Sequence, residues 1–215
     1  MTHTPDQTPL PEGLVCGPDG LPRCKWGVSH PLYIDYHDHE WGRPEPEDVK
    51  LFEKICLEGF QSGLSWLTIL KKRDNFRAAF HGFDIDQVAA FGEADVARLM
   101  SDTGIVRNRR KIEATIHNAR MAQQMREAEG SLGAWFWRWA PPRREAPLDW
   151  STLRSLGKTP ESEAMSKALK KLGWRFVGPT TAYAFMQAMG LVNDHVAGCA
   201  FHAATEADAQ AFQRP

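Results

Sequence analysis

The sequence predicts an all-α fold, and three observations predict it. Apolar residues recur at three- and four-residue spacing along most of the chain, glycines stand just beyond the ends of those stretches, and runs of alternating β-branched residues are nearly absent. Residues 1–23 are rich in proline and glycine and read as a flexible N-terminal tail, with Asp19-Gly20 a turn inside it. Ordered structure is expected from Cys24. A helix is predicted over Glu47 to Glu58, with Leu51, Phe52 and Ile55 on one face. A second covers Leu64 to Phe80 and carries Leu67, Leu70 and Phe76. Asp84 reads as the N-cap of a short helix through Val88, since its carboxylate can accept from a free amide of the first turn. Glu93 to Met100 is another short helix. Arg109 to Glu129 is a long amphipathic one closed by Gly130, which tolerates the left-handed backbone that ends helices. Trp135, Trp137 and Trp139 cannot all share one helix face and are assigned to core packing. Pro141 to Pro147 is a loop. Helices follow over Glu163 to Leu172, ended by Gly173, and over Thr180 to Met189, ended by Gly190. Residues 24–202 are thus expected to form the helical domain, and 203–215 a C-terminal tail.

With 215 residues, 42% of them hydrophobic and 25% charged, the chain is globular in composition and long enough to bury a full core without covalent staples. Four cysteines are too few for a disulfide scaffold. No basic start precedes an apolar run, so no secretory signal is read. No stretch approaches the roughly 18 apolar residues of a spanning helix. A cytoplasmic protein with reduced thiols and no membrane partner is expected. The net charge of −1 lacks the general basic signature of a nucleic-acid binder, so that function requires a local patch.

Three constellations carry chemistry. His195 and Cys199 are four apart, which on a helix puts both side chains on one face. Cys24 and His37 lie at the other end of the ordered region. Together they make a Cys2His2 set suited to one tetrahedral zinc ion per chain. Four protein ligands leave no position for a catalytic water, so the ion is read as structural. Such a cross-link removes on the order of 4–5 kcal/mol of unfolded-state loop entropy. His30, His39, His202 and Cys16 compete as ligands, and ordinary buried residues compete with the metal reading as a whole.

The second constellation is Lys170-Lys171-Leu172-Gly173-Trp174-Arg175-Phe176-Val177-Gly178-Pro179-Thr180-Thr181. One helix ends at Gly173. The next begins at Pro179, whose missing N–H costs nothing in a first turn. Free amides at Gly178, Thr180 and Thr181, beside Lys170, Lys171 and Arg175, would grip a phosphate as a helix-hairpin-helix does on one DNA backbone. Solvated lysines on a plain connection are the alternative. Arg107 to Lys111 and Lys71 to Arg73 are further basic stretches that suit either phosphate or solvent.

The third is aromatic. Trp26, Tyr36, Trp41 and Trp66 crowd the first third of the chain. Glu58 ends an apolar helix face, where a partly buried carboxylate needs a partner. Rings with one acceptor suit a flat ligand bearing N–H donors or positive charge. A tryptophan-rich core with a surface glutamate is the competing account.

These motifs resemble the 3-methyladenine DNA glycosylase I family, within the helix-hairpin-helix glycosylase superfamily. The resemblance runs from Cys24 to about His202. It rests on Pro31-Leu32-Tyr33-Ile34 with Tyr36-His37-Asp38-His39-Glu40-Trp41-Gly42, on Ile55-Cys56-Leu57-Glu58-Gly59 with Gly63-Leu64-Ser65-Trp66, and on Phe176-Val177-Gly178 through Leu191-Val192-Asn193-Asp194-His195-Val196. It implies two helical subdomains around a cleft, with the N- and C-terminal segments joined by a structural zinc on Cys24, His37, His195 and Cys199. Glu58 is implied as the catalytic carboxylate that contacts the base, with Trp26, Tyr36, Trp41 and Trp66 as the substrate pocket. The implied partner is double-stranded DNA containing alkylated bases, and the implied state is a monomer.

The implied reaction belongs to base excision repair: the enzyme flips the base, hydrolyses its N-glycosidic bond and leaves an abasic site. No lyase step is expected, because no lysine matches the Schiff-base position of bifunctional members. Asn193 stands where most of the superfamily has a catalytic aspartate, so the chemistry must lean on a positively charged base. Leu64 is expected to wedge into the gap left by that base, with Phe60 as the other residue at the pocket mouth. The alternative is a non-catalytic, zinc-stabilised helix-hairpin-helix DNA-binding protein, which leaves Glu58 without a role. A metal-dependent hydrolase needs an open coordination position that four protein ligands deny.

Overall fold

The structure, a computed structural model, describes residues 9–215. Residues 1–8 of the expected tail lie outside the described residues. Residues 9–23 correct that expectation. Strands β1 (Leu14–Cys16) and β2 (Pro22–Cys24) pair antiparallel, with Leu14 opposite Cys24. The Asp19-Gly20 turn closes this hairpin: Asp19 accepts from the Leu21 amide at 3.1 Å, and Gly20 takes a φ of +79°. Arg23 anchors it. Its buried guanidinium donates to both oxygens of Asp38 at 2.8–3.0 Å and to Asp19 at 2.6–2.7 Å. Proline and glycine suit a tight hairpin as well as a loose tail, which is why composition misread the segment.

The sequence pattern does not announce helix α1 (Pro31–His39), because its buried face is polar: Tyr36, His37 and Asp38. Pro31 at its first position and the His30 ring, which accepts from the Leu32 amide, start it. Helix α2 (Asp48–Gln61) is buried along most of Leu51 to Phe60 and is the central element. The single helix expected over Leu64 to Phe80 is two, α3 (Trp66–Leu70) and α4 (Arg73–Ala79), with a break at Lys72. The break turns Phe76 onto Phe60, ring centroids 4.7 Å apart.

Helix α5 (Ile85–Ala89) is capped by Asp84 as expected, and α6 (Glu93–Ser101) and α7 (Arg109–Glu129) follow. Helix α8 (Leu132–Trp137) buries Trp135 and Trp137, in line with the core assignment. Its first amides, at Leu132 and Gly133, donate to Asp48 at 2.8 and 3.3 Å. Beyond the proline loop lie α9 (Trp150–Ser155), α10 (Pro160–Lys171) and α11 (Pro179–Ala188). Helix α10 starts before its expected position because Thr159 and Ser162 form a reciprocal cap. The tail expected over 203–215 is also corrected. Helix α12 (His202–Ala211) fully buries Thr205, and Phe212 tilts against Trp137, ring centroids 4.4 Å apart.

One continuous apolar core joins α2, α4 to α8, α10 and α11. A smaller body, formed by the hairpin, α1 and the segment from His195 to α12, packs around two satellite clusters. The cleft between these unequal bodies holds the site described next.

Candidate active site

Cys24 ends β2, and His37 sits in the last turn of α1. His195 and Cys199 lie in the irregular segment after α11, so a turn rather than the expected helix face brings them together. Gly198, at φ +91°, makes that turn, and the Cys199 amide donates to Val196 O at 2.8 Å. All four side chains are buried, and their donor atoms lie within 4.8 Å of one another. Cys199 Sγ is 3.5 Å from His195 Nδ1 and 3.6 Å from His37 Nε2, and Cys24 Sγ is 3.9 Å from His195 Nδ1. A zinc tetrahedron with ordinary bond lengths has sulfur–nitrogen edges of about 3.6 Å, so the donor set fits that ion.

The rings are aimed by their far nitrogens. His37 Nδ1 donates to Asp38 at 2.7 Å, and His195 Nε2 donates to Trp41 O at 3.2 Å, which turns the opposite nitrogens toward the sulfurs. Arg23 in turn holds Asp38. Cys24 and Cys199 face each other within the cluster, and their sulfurs interact. That interaction pulls the Cys199 thiol well below the usual range, helped by His195 and His37, and with burial it pushes Cys24 up. The competing ligands stay outside the cluster: His30 caps α1, His39 pairs with Asp35 in solvent, His202 opens α12, and Cys16 is exposed.

The Cys2His2 cluster backs directly onto the aromatic residues. Trp26 meets His37 edge-on at 5.3 Å, and Trp41 meets His195 at 4.8 Å. Gly27 permits this approach, since a Cβ there would come 2.7 Å from the His37 ring. Trp26 and Trp41 pack edge-to-face at 5.0 Å, and Tyr36 tilts against Trp66 at 5.5 Å. These four rings, with Glu58 and Asp194, border a cavity of about 380 Å³. Every residue expected in the substrate pocket is therefore at one place.

Glu58 is 5% exposed, so the surface-glutamate account fails. Its partner is Lys54, one helical turn earlier on α2, with Nζ 2.8 Å from Oε1. The same ammonium donates to Tyr36 Oη at 2.7 Å and lies 3.3 Å from the centre of the Trp66 ring. Burial pushes the Lys54 ammonium down, against the opposing pull of Glu58; burial also pushes the Tyr36 hydroxyl far up. Sequence reasoning asked for a partner to Glu58 and missed Lys54, although the four-residue spacing was there to be read.

Asn193 faces away from the cavity and donates to His202 O at 3.1 Å. The neighbouring Asp194 is the residue that borders it. Its carboxylate accepts from Tyr183 Oη, from Gln187 Nε2 at 2.8 Å and from Arg144.

On the outer face, α11 begins at Gly178 without a side-chain cap, and Lys170, Lys171, Arg175 and Thr180 are exposed around it, with Thr181 half-buried. The hairpin before it is clamped by Asn118 of α7, which accepts from the Arg175 amide at 2.8 Å and donates to its carbonyl at 2.9 Å. Leu64 is 42% exposed on the loop after α2. Phe60 is packed in the core, so it is not at the pocket mouth. Lys111 also leaves the list of basic patches. It is buried and donates to the carbonyls of Phe60 and Ser62 at 2.8 and 2.6 Å, closing the C-terminus of α2. Lys72 is tied to Thr103 O and Gly104 O, and Arg73 to Glu40, whereas Arg107 and Arg110 remain exposed.

The methyladenine glycosylase pattern matches residues 26–203. Over 179 residues the chain is 51% identical to DNA-3-methyladenine glycosylase 1 of Escherichia coli (strain K12), covering 83% of this chain and 96% of that protein. It is 47% identical over 180 residues to the DNA-3-methyladenine glycosylase of Haemophilus influenzae, covering 82% and 96%. It also resembles 3-methyladenine DNA glycosylase I from Staphylococcus aureus, whose structure was solved for its recognition of 3-methyladenine, with a TM-score of 0.79, 34% identity and coverage of 84% and 96%. With the family pattern spanning most of its length and the fold shared with solved members, the chain belongs to the methyladenine glycosylase family.

Proposed function

We propose that the protein excises 3-methyladenine from duplex DNA, hydrolysing the N-glycosidic bond and leaving an abasic site for base excision repair. The observation that carries this reading is Glu58, a buried carboxylate at the wall of an aromatic cavity large enough for one flat base. N3-methylation makes adenine cationic, so the base leaves neutral and needs no general acid. Flipping costs a few kcal/mol, less for a damaged base. The flipped purine stacks among Trp26, Tyr36, Trp41 and Trp66, whose faces favour positive charge. Glu58 accepts from its N–H edge. Water attacks the oxocarbenium-like sugar, with no lyase step.

One zinc ion per chain on Cys24, His37, His195 and Cys199 supplies a cross-link rather than chemistry on the substrate. Through the His37 and His195 rings it braces Trp26 and Trp41. The α11 amides of Gly178, Thr180 and Thr181, with Lys170 and Lys171, hold one DNA phosphate in helix-hairpin-helix fashion. Leu64 fills the gap in the stack. The protein works as a cytoplasmic monomer. No described helix is long and apolar enough to cross a membrane.

The test is release of free 3-methyladenine from methylated duplex DNA, followed by chromatography, with metal analysis of the same sample. Release with one equivalent of zinc is expected. Tight DNA binding without release would favour the non-catalytic binding protein instead.

A further inference from the structure

We propose that Lys54 is a positioning residue for excision: from behind the pocket wall its ammonium clamps one oxygen of Glu58 and the Tyr36 hydroxyl, leaving the second Glu58 oxygen aimed at the flipped base. The inference rests on the reading of Glu58 as the base acceptor and adds what holds that acceptor in place.

Lys54 does not border the aromatic cavity. It borders the neighbouring charged cleft, while Tyr36 and Trp66 border both. An ammonium only 5% exposed persists where its partners replace water. Lys54 has three: Glu58 Oε1 at 2.8 Å, Tyr36 Oη at 2.7 Å and the Trp66 face at 3.3 Å. One group thus ties together the carboxylate and two of the pocket rings.

The other charges facing this point are matched among themselves. Arg73 of α4 pairs with Glu40 beyond the end of α1, Glu53 of α2 pairs with Arg77, Asp194 across the cavity pairs with Arg144, and Arg154 of α9 at the cavity rim pairs with Glu12. Lys54 is left as the counter-ion of Glu58. Without it, the buried carboxylate loses its charged partner and the contact that fixes its orientation.

The experiment is a double-mutant cycle on the full chain: wild type, Lys54→Met, Glu58→Gln and the double variant. Two quantities are read. One is single-turnover release of 3-methyladenine from methylated duplex DNA; the other is affinity for free 3-methyladenine by tryptophan quenching. Lys54→Met is expected to lose roughly tenfold in both, and Lys54→Arg, which keeps a cationic donor, to retain most of both. The double variant is expected to be no worse than Glu58→Gln alone, since the amide needs no counter-ion.

Lys54→Met matching wild type in both quantities, or losses that multiply in the double variant, would overturn the proposal. Should Lys54→Met fail to fold, Lys54→Gln takes its place, keeping a donor to Tyr36 without charge. A wild type that releases no base but binds free 3-methyladenine overturns the excision reading alone, and the binding cycle still decides Lys54.

Discussion

Glu58 and Lys54 form a buried ion pair on one helix, so each variant has two consequences that separate. Glu58→Gln removes a charged acceptor, and hydrogen bonds to charged groups contribute about 1.5–3 kcal/mol. Excision should fall by roughly 10- to 150-fold, read in a single-turnover assay. The same change strands the Lys54 ammonium, whose folded-state value burial already holds below the ordinary 10.5. The unfolded chain then binds more protons than the folded one, so stability rises with pH. The urea midpoint of Glu58→Gln should climb toward that of wild type as pH increases from the lowered folded value of Lys54 to the ordinary one, and a pH-independent gap would contradict it. At this scale the sequence was informative about four rings of the pocket and about Glu58, missed Tyr33 and Trp150 in the same wall, and was silent on Arg23 and Asp38, whose pairing aims His37 from a strand that composition hid.

Among the elements, the end of α11 carries the sharpest constraint. Gly190 has a φ of +74°, and a Cβ there would lie 2.5 Å from the backbone of Arg43 and Pro44. Gly190→Ala therefore combines left-handed strain of about 1–2 kcal/mol with a backbone collision that no rotamer relieves. Its urea midpoint should drop with an unchanged slope, by more than for alanine at Gly63, where the φ is +82° but nothing lies within 4 Å. Helix spacing located α2, α5, α6, α7 and α11 well, because their buried faces are apolar and their caps local. It missed α1, whose buried face is Tyr36, His37 and Asp38, and it fused α3 with α4, because the break at Lys72 answers to packing of Phe76 on Phe60.

Across the whole molecule, the Cys2His2 cluster ties the smaller body to itself at both chain ends, while the main core contains none of its ligands. With the zinc ion proposed for that cluster, a strong chelator should therefore lower the melting temperature and abolish affinity for free 3-methyladenine, as Trp26 and Trp41 lose their backing. Most far-ultraviolet helical signal should persist, because the large core survives. Cys199→Ala should reproduce this state without chelator. Acid should approach it as well, since protons compete with the metal for its ligands. Retained base affinity in metal-free protein would count against the bracing role.

The sequence by itself determined the helical class, most helix positions, the four metal-ligand candidates, four of the pocket aromatics and one of the two carboxylates that border the cavity. Those are local matters of periodicity and residue chemistry, sharpened by family resemblance. The tertiary structure decided which charges are paired and which remain open. Lys111 and Lys72 spend their charge on carbonyls, Asn193 turns away where Asp194 faces in, and Lys54 becomes the partner of Glu58. Pairing depends on burial and on approach between distant segments, and neither quantity is written in the order of residues along the chain.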